Sequence, residues 1–205
     1  DLKAGGLMVF HVVPTLDAAL KAVAAGVDGL IVEGGEGGGF KNPNDVASMV
    51  LLPLVRSKVD VPIIAAGGFI DGKTMAAAFS LGAEGIQMGT RMVSAAESPV
   101  HDNWKNAIVD AKETGTVFLN KFHSPALRAL RTERTSRLER DPETNAMSEF
   151  GTALDLYFGG DMEAAIPLSG QVAGRIESVK PVAEILAETE EEFFETISSL
   201  AGTYL

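Results

Sequence analysis

The feature that most constrains this chain is a repeating order of apolar run, glycine punctuation and helix-patterned segment over residues 1–100. Leu7-Met-Val-Phe-His-Val-Val13 is short, apolar and rich in β-branched residues, and is bounded by Gly6 and Pro14. Runs of that kind predict buried parallel strands. Residues 16–23 are apolar at helical spacing and Gly26 closes them. Gly29-Leu-Ile-Val-Glu33 predicts the next strand, followed by Gly34-Gly35-Glu36-Gly37-Gly38-Gly39. Residues 45–55 predict a helix, and Pro62-Ile-Ile-Ala-Ala66 a third strand ending in Gly67-Gly68. Asp71 suits a helix N-cap, and the Ala-rich stretch 74–81 ends at Gly82. Gly85-Ile-Gln-Met88 predicts a fourth strand, ending at Gly89-Thr90.

Consecutive strand–helix units demand right-handed crossovers and a parallel sheet. Two folds are open to such a chain, a doubly wound sheet and part of a (β/α)8 TIM barrel, and the barrel is the reading adopted. A complete barrel takes about 250 residues. This chain is therefore expected to supply about the last four strands, over residues 1–100. Half a barrel leaves open sheet edges, so the other strands are expected from residues outside this chain, a partner chain or a second copy. The first residue is Asp rather than Met, which reads as a fragment or a processed chain. Residues 101–205 are expected to form a helical region packed on the barrel. Within it, residues 102–112 predict a helix, and Arg128, Arg131, Arg134, Arg137 and Arg140 recur at every third position. That stripe reads as a solvated face, partly paired with the acidic, amphipathic stretch 184–195, or as a grip for an anionic substrate group.

Composition removes several classes of function. The 205 residues carry 17 Lys and Arg against 28 Asp and Glu, a net charge of −11, which argues against nucleic acid as a partner. There is no cysteine, so disulfides, thiolate chemistry and Cys-ligated metals are absent. No apolar run approaches the roughly 20 residues that span a bilayer. Residues 1–6 lack the pattern of a signal peptide. A soluble, cytoplasmic protein with no membrane partner is expected. No His and carboxylate spacing matches a metal site, so no metal is expected. His11 reads as a core or strand-end residue, and His101 and His123 as capping or packing residues.

Glycines at strand ends carry the main chemical signal. They let backbone approach a ligand closely and aim N–H groups at a phosphate. Gly67 and Gly68 after one strand, with Gly89 and Thr90 after the next, predict two walls of a phosphate cup. The stretch from Glu33 to Phe40 is too rich in glycine for an ordinary turn and could pass flat against a planar ring. It is no Walker loop, since no Lys-Ser/Thr follows. Glu33 reads either as a ligand for a ribityl or ribose hydroxyl or as a solvated sheet end.

Residues 26–39, 62–72 and 81–91 resemble the nitronate monooxygenase family, once called 2-nitropropane dioxygenases. That family also contains FMN-dependent enoyl-acyl-carrier-protein reductases and NADH:quinone reductases. The likeness continues through residues 97–101, 123–130 and 169–174 and so covers nearly the whole chain. It implies an FMN-binding barrel with a helical region, with Gly38 and Gly39 against the flavin. It also implies that Gly67, Gly68, Gly89 and Thr90 hold the FMN phosphate, with Glu33 near the ribityl chain. Nitronate-oxidising members carry a catalytic His where this chain has Phe40, and phenylalanine accepts no proton. A Lys present in some members is replaced by Val12. These departures leave the catalytic residue unknown. They turn the expectation toward an NAD(P)H-dependent reductase of an enone, enoyl thioester or quinone-like substrate, with NADH or NADPH as donor. Nitronate oxidation, a half-barrel or non-catalytic subunit of a heteromeric flavoprotein, and a sugar-phosphate enzyme are the alternatives. A homo-oligomer, or a complex with a chain bearing the other half of the barrel, is the expected assembly.

Overall fold

The computed structural model describes residues 2–204. Among them the strands, in chain order, are β1 (Phe10–Val13), β2 (Gly29–Glu33), β3 (Gly39–Lys41), β4 (Ile63–Ala66), β5 (Gly85–Gln87), β6 (Thr116–Leu119) and β7 (Ala126–Leu130). The α-helices are α1 (Leu16–Ala24), α2 (Ser48–Arg56), α3 (Gly72–Ser80), α4 (Thr90–Val93), α5 (Asp102–Val109), α6 (Glu133–Arg140), α7 (Ala153–Tyr157) and α8 (Val182–Tyr204). They fall into two compact units. The first takes the chain up to Gly35, then Asp45–Gln87, and again from Ala187 onward; the second takes Glu36–Asn44 and Met88–Leu186. The expected boundary near residue 100 is therefore replaced by two excursions of the chain from one unit into the other.

The first unit is built on a parallel sheet in the order β1-β2-β4-β5. Neighbours in space follow one another along the chain. With right-handed crossovers, an order that never reverses puts every connecting helix on one face. That is the arrangement of a barrel; a doubly wound sheet reverses its order at a switch point. Val13, Leu30, Val32, Ile63 and Ala65 from the strands meet Ala19, Leu51, Leu52 and Val55 from α1 and α2 in one buried cluster. β1 departs from expectation. It is the edge strand, and of its four residues only Val13 is buried.

Local signals set the helix ends. Thr15 accepts the N–H of Ala18 at 3.2 Å, and Asp71 closes a capping box with Thr74, whose N–H it receives at 2.8 Å. The start of α3 is also where α8 docks. Glu192 accepts the Gly72 N–H at 2.9 Å, and Phe193 packs on Phe79 with ring centroids 5.1 Å apart. A Cβ on Gly72 would sit 2.2 Å from the Phe193 nitrogen, so the crossing has no room for a side chain. Near the other end of the chain, Asp28 receives Lys3 Nζ at 2.8 Å and the Val9 N–H at 2.7 Å.

The second unit corrects the expectation of a helical region over residues 101–205. It holds an antiparallel sheet in the order β3-β7-β6. Ala126-Leu-Arg-Ala-Leu130 is composed of good helix formers, yet all five residues are buried as a central strand. Pairing on both edges and burial on both faces override the propensity. Val117, Leu119, Leu127 and Ala129 cover one face with Leu138, Ala146 and Ile166. The arginine stripe is likewise broken. Arg128 is a buried β7 residue, Arg131 precedes α6, and only Arg134, Arg137 and Arg140 lie on that helix.

Gly72→Ala is expected to destabilise the chain by about 1–3 kcal/mol, the usual penalty of overpacking. Gly202→Ala, on an α8 position with nothing within 4 Å of a Cβ, should be neutral or stabilising by about 0.4–1 kcal/mol. Urea unfolding of the two variants checks the contrast. The Asp28 carboxyl is held below its ordinary 3.8, first by the Lys3 hydrogen bond and then by the Val9 N–H. Its contribution to stability is present above the ordinary carboxylate range and is lost as pH falls through the lowered value. Asp28→Asn should therefore flatten the acid limb of a stability–pH curve and leave its neutral region the same shape.

Candidate functional site

Parallel pairing brings the C-terminal ends of the first unit's strands to one edge. Glu33 pairs with Ala66, and Ala66 with Gln87, so the chain continues from adjacent points as Gly34, Gly67 and Met88. The turn after β4 needs glycine twice, because Gly67 and Gly68 have φ of 80° and 95°. Ser48 Oγ donates to the Gly67 carbonyl at 2.6 Å, while Phe69 and Ile70 are buried, which fixes the turn on both sides. Glu33 is half-buried at the end of β2. Where the chain leaves this unit, Gly35 donates to the Val46 carbonyl at 2.8 Å, and its missing side chain leaves space for Asp45.

In the second unit the glycine-rich loop is held by backbone. Gly39 has φ of 89° and pairs with Arg128 in β7, and open space lies where its Cβ would be. Gly38 is different. A Cβ there would lie 2.5 Å from the Ser169 carbonyl carbon, so this glycine is needed for close approach of two backbones. Gln171 N donates to the Glu36 carbonyl at 2.9 Å and strengthens that contact. Thr90 is buried at the start of α4, and its Oγ1 accepts the Gly170 N–H at 2.8 Å. Gly89, just before it, has nothing within 4 Å of a Cβ.

Phe40 is 56% exposed and stacks on Phe150, with centroids 6.4 Å apart and planes 16° from parallel. Three of the arginines have partners within their own unit. Arg131 pairs with Glu139 and Arg137 with Glu149, while Arg134 donates to the carbonyls of Glu163 and Glu149. His101 caps α5, its Nδ1 taking the Asn103 N–H at 3.1 Å, and His123 Nε2 lies 3.1 Å from the Glu143 carbonyl. His11 is exposed on β1 instead of lying in a core. Among the described residues, no three His, Asp or Glu side chains cluster as metal ligands would. None of the described helices is long and apolar enough to cross a membrane.

Sequence reasoning missed Phe150 and Trp104. Trp104 Nε1 donates to Ser169 Oγ at 3.2 Å, and both residues are 1% exposed. The stretch 169–174 carried a family signal but no role, and no local pattern links residues 65 apart.

Residues 1–192 match the family model described as nitronate monooxygenase. A Rhodococcus jostii (strain RHA1) protein named (3aS,4S,5R,7aS)-5-hydroxy-7a-methyl-1-oxo-octahydro-1H-indene-4-carboxyl-CoA dehydrogenase is 41% identical over 67% of this chain and 38% of its own length. A probable nitronate monooxygenase of Staphylococcus aureus (strain Newman) is 31% identical over 91% of the chain and 56% of its own. Among solved structures, FabK from Thermotoga maritima superposes with a TM-score of 0.92 at 39% identity, covering 98% of this chain and 66% of that one. The chain thus spans less than two thirds of the length of each of these relatives. Its strand order, its glycine-rich strand ends and these matches agree that the chain belongs to the nitronate monooxygenase family.

Proposed function

We propose that this chain carries the flavin-binding strand ends of an FMN-dependent oxidoreductase, working as an NAD(P)H-dependent reductase of an enoyl thioester, enone or quinone-like acceptor. The observation that carries the reading is Phe40. By the family resemblance, Phe40 takes the position at which nitronate-oxidising members have their base; here it is an exposed ring stacked on Phe150, which accepts no proton. The Rhodococcus relative acts, by its name, on a CoA thioester, which supports an acyl thioester as substrate.

The residues present fit FMN. Gly67 and Gly68 turn a bare left-handed backbone at the end of β4, and open space lies where side chains would be at Gly39 and Gly89. In this reading Gly67, Gly68 and Gly89, with the backbone N–H of Thr90, hold the phosphate, Glu33 takes a ribityl hydroxyl, and Gly38 and Gly39 hold the loop against the ring. When bound, FMN supplies hydride transfer between nicotinamide and acceptor. The chain's own residues bind and orient it and line the acceptor's side with aromatic surface.

The test is the visible spectrum of the FMN-loaded chain before and after anaerobic NADH or NADPH. Flavin bands that bleach support the reductase and name the donor; rapid nitronate oxidation with no pyridine nucleotide overturns it. Phe40→His restores the residue type of the nitronate-oxidising members. It is expected to raise nitronate turnover by about a hundredfold, the low end of what a positioned general base contributes. Oxygen uptake with a nitronate substrate measures it.

A further inference from the structure

Thr90 sits in a strand-end position where a hydroxyl would be assigned to a phosphate. Its geometry gives it another task. Its Oγ1 accepts the Gly170 N–H at 2.8 Å, and Thr90 is only 7% exposed. Gly170 lies in the short segment 169–171 that meets the glycine-rich loop. A Cβ on Gly170 would lie 2.8 Å from the Glu36 carbonyl oxygen and 3.0 Å from Gly38 N, and one on Gly38 would lie 2.6 Å from Gly170 N. Gln171 N adds its bond to Glu36 O at 2.9 Å. Ser169, next in line, is held from behind by Trp104 Nε1 at 3.2 Å. On its other side the loop leads into β3, where Gly39 and Phe40 pair with Arg128 and Leu127.

Backbone packed this closely has no soft side chain to absorb a shift, so the loop and the segment move as one body. We propose that the Thr90 side chain is a positioning group: through Gly170 it sets the place of the loop bearing Gly38, Gly39 and Phe40, and so the hydroxyl acts on the flavin ring, leaving the phosphate to backbone N–H groups. The inference rests on the flavin reading above. It gives the threonine a role that a phosphate contact does not need. The buried Gly170 N–H requires an acceptor, and losing that acceptor leaves a buried donor unsatisfied.

The experiment compares binding of FMN and of riboflavin, which lacks the phosphate, to the full chain and to Thr90→Val and Thr90→Ser. Thr90→Val should weaken both ligands by the same factor, about tenfold for one buried donor left unsatisfied. Thr90→Ser, which keeps the acceptor, should stay within about twofold of the parent for both. A loss confined to FMN, or no loss for either ligand, overturns the proposal. Amide hydrogen exchange on the flavin-free chain gives a second readout. Thr90→Val should speed exchange across residues 36–41 and leave β6 unchanged, whereas unchanged loop exchange overturns the positioning role. If the parent chain binds neither flavin, the cofactor reading fails while exchange still decides the role of Thr90. Should Thr90→Val fail to fold, Ser169→Ala tests the same clamp. The chain has 1 tryptophan, so a shift in Trp104 emission together with faster loop exchange supports the clamp. Slow exchange with shifted emission overturns it.

Discussion

Parallel pairing in chain order is the constraint on which the first unit depends. Each strand must return to the same end of the sheet to start again, so each needs a crossover, and the crossovers become α1, α2 and α3. The same rule gathers the strands' C-terminal ends at one edge, whatever their sequences. In barrels, active sites lie at that edge, where the geometry has already brought the chain several times. Glycine then decides how closely a ligand can come.

Much of this was legible in the sequence because its causes are local. The β-branched runs of β2 and β4, the Asp71 cap and the glycines of the strand-end turns each act through neighbours a few residues away. The second unit was hidden because its causes are distant. Ala126-Leu-Arg-Ala-Leu130 has no strand signal of its own and becomes a strand because β3 and β6 flank it. Thr116-Val-Phe-Leu119 did carry β-branched and aromatic residues, but a short run between helical patterns was too little to reveal a sheet. The arginine spacing looked helical for the same reason. It crosses from a strand into a helix, and a period of three continues across that boundary by chance.

The glycines illustrate how far sequence reasoning reaches at the site. From residue type alone, Gly38 and Gly39 look equivalent. In the structure Gly39 needs its left-handed backbone, and Gly38 needs its missing side chain because Ser169 lies against it. Gly72 is a third case, a helix residue left bare so that α8 can cross. The arginines show the converse. Their spacing read as a solvated face or as a grip for an anionic group, and the pairs Arg131–Glu139 and Arg137–Glu149 agree with the first.

The way the chain leaves the first unit at Gly35 and re-enters it at Asp45 has a wider consequence. Gly35 is bonded to Val46 and lies beside Asp45, so the two ends of the excursion are fastened to each other before either meets a strand. The segment is thus closed at its neck by one bond and held along its length by others, in β3 and at residues 169–171. Because backbone closes that neck, a change of side chain at Phe40 leaves the bond between Gly35 and Val46 in place and, with it, the point from which β2 hands the chain on.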